Sequence, residues 1–550
     1  MRSSRVLNFF FTGLAAGALL VAGCRHAPDP ESAAAGAGPS APRRGGTAVV
    51  GWGAEPNGVN ELTVPSSQIT HEVQFRMFLH LAEEQPDFER HPPSFAPSLA
   101  KSWEWSPDHK TLTFHLRDGL VWSDGAPVTA DDVRWTWTAQ RNRDIAWENA
   151  DSKSWITDVE AVDPRTVRFH FSRVYAKQFL DANEGAILPR HAWGQIPFSQ
   201  WRKSAEWFRQ HLVVDGPFTV ASWEHQQQVV LKRNDRYYEK GLPRLDRVVL
   251  RQLSDQAAGF SQLLSGELDF VAQISPADIP RVKASPRLAL IPYWTNLYVT
   301  VDWNNDNPLF KDPEVRRALT LAIDRKTIVD TILGPYGRVA DSPVISTVWA
   351  HDPSLRPWPY DPAEARRILA AKGWKDTNGD GVLDRDGRLF AFELITNAGN
   401  QWRTDATVMI QDQLKKVGIR VTPRQVEFNT LIAQTNAGKY EAAMFGYTMD
   451  TSLDLTNNFH SRSIGADGNL VRYRNPEVDR LIETSMAQPD ILAARPYLNR
   501  IQQIVHRDQP LTFLWESQRL TAVNRRVHDV RPTVNYSLFN LKEWWVTPKG

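Results

Sequence analysis

The sharpest chemical signal in the sequence is an oxygen-rich loop. Asp376-Thr377-Asn378-Gly379-Asp380-Gly381-Val382-Leu383-Asp384 puts oxygen side chains at positions 1, 3, 5 and 9 and a glycine at 6. That spacing resembles a calcium loop of the EF-hand type, with Asp376, Asn378, Asp380 and Asp384 as ligands of a structural ion. Position 12, where a bidentate Glu belongs, is Gly387. The same residues also read as an Asn-Gly/Asp-Gly turn. No other cofactor is expected. His71-Glu72 opens like a zinc-binding helix, but no His stands four positions after His71. There is no Gly-x-Ser-x-Gly elbow. Ala437-Gly438-Lys439 is an isolated fragment, not a phosphate loop. The acidic pairs Glu83-Glu84 and Asp131-Asp132 read as solvated faces and helix starts. A hydrolase therefore has neither a nucleophile nor paired carboxylates to work with.

The elements that would carry a site are legible around residues 96 to 137. Leu112, Phe114 and Leu116 alternate with polar residues, the period of a half-buried strand. Ser106-Pro107-Asp108 supplies a turn, so Trp103 to Trp105 and Lys110 to Arg117 form a hairpin. Thr129 stands three residues before Asp132, the signature of a helix N-terminus. Arg165 to Ser172 is another alternating strand. Asp312-Pro313-Glu314 starts a helix with Val315, Leu319, Ala322 and Ile323 on one face. Asp361 to Glu364 caps a helix that ends at Gly373. A helix over Arg403 to Val417 is closed by Gly418. A further helix covers Leu492 to His506.

The chain has 550 residues, 42% hydrophobic and 23% charged, the composition of a globular protein of two or three domains. A formal charge of +1 gives no reason to expect a nucleic-acid partner. Arg2 and Arg5 followed by the apolar run Leu7 to Val21 form an export signal, too short for a span. Val21-Ala22-Gly23-Cys24 resembles a bacterial lipobox. Cys24 is the sole cysteine, so there is no disulfide framework, and lipidation at Cys24 would anchor the protein to a membrane. Residues 25–44, rich in Ala, Gly, Pro and Ser, form a flexible linker.

Two long motifs then point to a family. Leu99-Ala100, Trp103, Ser106, Asp108, Thr113-Phe114, Leu116-Arg117, Gly119, Trp122 to Gly125, Pro127, Thr129-Ala130 and Asp132-Val133 form the first. Asp312, Val315-Arg316, Ala318-Leu319 and Ala322 to Arg325 form the second, about 200 residues on. Both resemble the family-5 extracellular solute-binding proteins, the peptide- and nickel-type receptors of ABC importers. Gly216 to Tyr237 and Gly266 to Asp269 resemble further blocks of the same family.

The resemblance implies an α/β fold of the two-lobed periplasmic-binding-protein type (class II-like), with a hinge and a discontinuous first lobe. Residues 1–24 would be the signal, 45–296 the first lobe with an extra subdomain, 297–515 the second lobe and 516–550 the return to the first. It implies capture of di- to oligopeptides by hinge closure and delivery to a permease. The partners are a peptide ligand, the permease subunits and the membrane, and the protein is expected to be a monomer. An oligosaccharide or a nickel chelate is the alternative ligand. A free peptide needs an anion for its amine and a planar cation for its carboxylate. The family's Gly-Trp/Tyr-Thr-x-Asp segment falls on Gly446 to Asp450, and an Arg opening a second-lobe helix falls on Arg403. Trp52, Trp402 and Tyr447 are the aromatic candidates for stacking on the ligand. The usual Asp-x-x-Asp-Pro-Asp continuation is altered after Asp450, which argues against strict dipeptide specificity.

Overall fold

The computed structural model describes residues 41–465 and 468–549. The signal and Cys24 lie outside them.

The first lobe opens with β1 (Thr47–Trp52) and helix α1 (Gln68–Met77), whose N-cap Ser67 accepts a hydrogen bond from the Thr70 amide. The hairpin follows as β2 (Ala100–Trp105) and β3 (Thr111–Leu116), with Leu112, Phe114 and Leu116 fully buried on one face. Helix α2 (Ala130–Gln140) starts with the expected capping box between Thr129 and Asp132. β4 (Ile156–Asp163) and β5 (Thr166–Phe171) complete an antiparallel sheet of order β2-β3-β5-β4, an extra subdomain packed on the first lobe's core. The short helix α3 (Gln178–Asn183) closes it. β6 (Phe218–Glu224), β7 (Gln228–Arg233), β8 (Arg247–Gln252) and β9 (Phe270–Val271) then join β1, which runs parallel to both β8 and β9.

The chain crosses to the second lobe on β10 (Leu288–Trp303). There α4 (Pro313–Ala322) is capped by Asp312, followed by β11 (Gly337–Val339) and α5 (Pro362–Ala371). An α/β layer follows: β12 (Ala391–Asn397), α6 (Gln401–Lys415), β13 (Arg420–Val426) and β14 (Ala442–Thr448). α7 (Pro476–Met486) and α8 (Arg495–Asp508) pack on a separate second-lobe core. The chain returns on β15 (Leu511–Asn524).

One mixed sheet spans both lobes among the described residues: β13-β12-β14-β10-β15-β9-β1-β8-β7-β6, with β11 on β15. Its joint is the antiparallel pair β10 and β15. Pairing runs from Leu288 opposite Asn524 to Asp302 opposite Leu511, but slips between Trp294 and Tyr298. There Thr295, Asn296 and Leu297 face Ser517 alone. Such a bulge bends a strand locally and frees its residues from the ladder. The freed residues still hold the joint: Thr295 Oγ1 donates to the Ser517 carbonyl (3.0 Å), and the Asn296 amide nitrogen donates to the Met449 carbonyl (2.8 Å).

Candidate ligand-binding cleft

A cavity of about 860 Å³ opens at this joint. It is in the upper part of the ~300–1,000 Å³ range of ligand sites. Its floor is the bulge, Thr295 to Leu297 with Ser517. The first lobe contributes the start of α1, Glu84, Glu184 and the segment Thr533 to Tyr536. The second contributes Asn400 to Arg403 and Thr448 to Thr451.

Arg403 reaches the cleft because the first turn of α6 carries it there. Asn400 caps that turn by accepting from the Arg403 amide (3.1 Å). The guanidinium donates from Nη1 to Asn397 Oδ1 (2.9 Å), while its Nε is buried without a partner. Burial depresses its pKa, and the nearby Asp302 carboxylate opposes that. Asp302 is fully buried and accepts from Thr300 Oγ1 (2.6 Å) and Tyr447 Oη (2.5 Å). Burial pushes its carboxyl up to about 6 against the pull of Thr300, Tyr447 and Arg403. A Cβ at Gly446 would lie 2.3 Å from Arg403 Nη2, so a side chain at 446 would displace the guanidinium. This cation has one neutral side-chain partner, Asn397, with the charge of buried Asp302 nearby.

The comparisons with known proteins agree with this architecture. The model for bacterial extracellular solute-binding proteins, family 5 (middle), matches residues 94–467. The chain belongs to that family. It is 32% identical over 511 residues to the oligopeptide-binding protein AppA of Bacillus subtilis, covering 92% of each chain. The solved structure of that protein in complex with a nonapeptide superposes with a TM-score of 0.78 at 31% identity, over 92% of this chain and 100% of that one. Heme-binding protein A of Haemophilus influenzae is 24% identical over 445 residues, 77% of this chain and 79% of that one. NikZ of Campylobacter jejuni, in complex with Ni(L-His), shares the fold (TM-score 0.79, 22% identity, covering 90% and 99%).

In this family-5 chain the site residues expected from sequence divide. Asp450, Arg403 and Trp402 line the cleft. Asp450 is open to the cavity yet walled in by protein. Burial raises its carboxyl, which Ser452 and Lys177 partly offset. It also accepts from the Ser452 and Leu453 amides (3.0 and 3.1 Å), so it shapes the loop it sits on. Tyr447 does not line the cleft. Strand alternation puts Gly446 and Thr448 on the cleft face of β14 and turns Tyr447 away, onto Asp302 and a stack with Tyr298 at 5.5 Å. Trp52 does not line it either; at the end of β1 it packs against the first lobe's core.

The residues 376–384 form a hydrogen-bonded hairpin, away from the cleft lining. Asp376 accepts from the Gly379 and Gly381 amides (2.7 and 2.9 Å), Asp380 from Val382 (2.8 Å), and Asp384 from the Thr377 amide and hydroxyl. Among the described residues no group of three or more His, Cys, Asp or Glu side chains is arranged to hold a metal ion. All three carboxylates thus accept main-chain amides of their own loop, and Asp384 and Asp380 also accept from Thr377 Oγ1 and Asn378 Nδ2.

Sequence reading missed the first lobe's acids. Glu84, which reads as a solvated face in the sequence, is half-buried in the cleft. Burial raises its carboxyl to about 7, with Glu184 and Asp450 adding to the rise against a hydrogen bond from Thr451. Arg519 also lines the cleft, donating to Ser537 Oγ (3.2 Å). The segment bearing Tyr536 is held by buried Glu72, which accepts from the Ser537 and Leu538 amides and pairs with Arg76 (3.5 Å). No sequence signal links residue 72 to residue 537.

Proposed function

We propose that this chain is the extracytoplasmic receptor of an ABC importer, that it captures oligopeptides, and that it is tethered to a bacterial membrane by a lipid on Cys24. The observation that carries the reading is the cleft itself. It is large, is built from both lobes at a bulged joint, and is lined by both signs of charge, Arg403 and Asp450 among them. The name and bound nonapeptide of the AppA relative support the same ligand class.

The lobes also touch outside the cleft. The Ala176 amide donates to the Met486 carbonyl (3.1 Å), the Trp349 amide to the Phe88 carbonyl (3.2 Å), and Lys177 pairs with Asp454 (3.5 Å). A ligand held from both sides favours this arrangement over an open one, because only here does it meet both walls. The brought-together state is then what a permease would recognise. The protein acts as a monomer, binds no nucleic acid and does not cleave its ligand. Ser66 Oγ and His71 Nε2 stand 3.1 Å apart, but among the described residues no carboxylate hydrogen-bonds the other imidazole nitrogen to complete a triad.

The test is native mass spectrometry of residues 45–550 purified without added ligand, followed by identification of what unfolding releases. A ladder of co-purified peptides is expected. A discrete sugar or a metal chelate would overturn the peptide assignment and keep the receptor.

A further inference from the structure

A second, smaller cavity of about 130 Å³ branches from the first lobe's side of the cleft and shares Ser66, His71, Glu184 and Tyr536 with it. Three carboxylates line it: Glu61, Glu148 and Glu184. No Lys or Arg does. Lys153 is buried outside the lining and donates to the main-chain carbonyls of Asp181 and Glu184. The two imidazoles in the wall supply no charge, since burial lowers the pKa of both His71 and His80.

An independent feature is His80. Its Nδ1 faces the Asn183 carbonyl (3.1 Å), which can only accept, so Nδ1 carries the proton. Its Nε2 is then a lone pair, and it is buried without a partner in the wall of this cavity. A buried acceptor left unpaired costs free energy that a donor would recover. Glu61 is equally one-sided: it accepts only the Ala186 amide (2.6 Å), and burial pushes its carboxyl up to about 8. The pocket is thus rich in acceptors and lacks a cation of its own. Its entrance opens on the ligand cleft, and its size suits one long side chain. The turn that forms the wall depends on Gly185 (φ +84°), where a Cβ would meet Gln140 Nε2 at 2.3 Å.

We propose that this side pocket is a specificity subsite for one cationic side chain of the bound peptide, a lysine-type ammonium or an arginine-type guanidinium. The proposal rests on the peptide reading above. The cation's donors would meet His80 Nε2 and the Glu61, Glu148 and Glu184 carboxylates, and entry of the charge would favour ionised Glu61.

The experiment uses the soluble protein and a set of alanine pentapeptides carrying one lysine, or its uncharged isostere norleucine, at each position in turn. Affinities are measured by titration calorimetry. At one position lysine is expected to bind at least about tenfold tighter than norleucine. That ratio is expected to fall below about threefold in Glu148→Gln and in Glu61→Gln, with circular dichroism confirming that each variant is folded. If the peptides bind but no position prefers lysine, or the ratio is unchanged in both variants, the subsite is refuted and the peptide reading stands. If no pentapeptide binds, both fall together.

Discussion

At the scale of single residues, two of the cleft's charges, Arg403 and Asp450, should separate the two ends of a peptide. Arg403 is poised by Asn397 beside Asp302 and lines the cleft, so its guanidinium is the cation that a ligand carboxylate would meet there. Arg403→Gln should weaken a free-carboxylate peptide about tenfold, near 1.4 kcal/mol, and change its C-terminal amide by less than about twofold. Calorimetry on the two peptides checks this, and an equal loss for both would mean that Arg403 only supports the wall. Asp450 is the proposed counterpart toward the amine. Asp450→Asn keeps a carbonyl oxygen to accept from the Ser452 and Leu453 amides, so the loop survives while the charge goes. A peptide with a free amine should lose about tenfold, and its N-acetyl form should be indifferent. If the acetylated peptide suffers as well, Asp450 is a loop-shaping residue.

At the scale of elements, the first turn of α6 sets where Arg403 and Trp402 stand. Asn400→Ala removes the cap and should destabilise the protein by about 1 kcal/mol. Because the capped amide is that of Arg403, carboxylate affinity should fall with it, whereas Asp312→Ala at the start of α4 should cost similar stability and leave affinity alone. Urea unfolding beside calorimetry distinguishes the two; affinity loss in Asp312→Ala would break the argument. The Asp312 cap was readable from sequence because it is local, as were β3 and the capping box at Thr129; the Asn400 cap was not, and the sequence starts that helix at Arg403 instead of Gln401. The crossing strands were readable only in part. The apolar run from Leu297 marks β10, but the strand begins at Leu288 and passes through Pro292, a residue that ordinarily argues against a strand. It is tolerated because β10 pairs only with β15 there; β14 joins it from Leu297 onward. The bulge that makes the cleft floor arises from strand register, and register between residues 294 and 518 has no local signature. Asp450 and Arg403 were reachable through a family motif, while Glu84 and Tyr536 enter the cleft through contacts made hundreds of positions apart.

At the scale of the whole molecule, the buried acids should make stability fall as pH rises through neutrality. Asp181 and Asp302 are raised to about 6, Glu84 to about 7 and Glu61 to about 8, in every case chiefly by burial. Each raised folded-state pKa contributes stability that is complete below the unfolded value and is lost as pH climbs to the folded one. From roughly pH 4.5 to 7.5 the folded chain holds protons that the unfolded chain has released, so the slope of stability against pH is negative. Acids held low by partners, such as Asp306 between Arg472 and Arg474, act the other way, and their contribution is lost in more acidic solution. Lys153, lowered by burial to about 8, adds stability only as pH rises above that value. The peptide-free protein should therefore have its highest melting temperature near pH 5 and a declining one to about pH 7.5. A peptide whose ammonium reaches Glu84 and Asp450 favours their ionised forms, so a saturating lysine-containing peptide should flatten the decline. A melting temperature that rises between pH 5 and 7.5 without peptide would mean that these carboxyls reach water more freely than their packing implies. A decline of the same steepness with and without peptide would place the ligand's charge away from the acidic corner of the cleft.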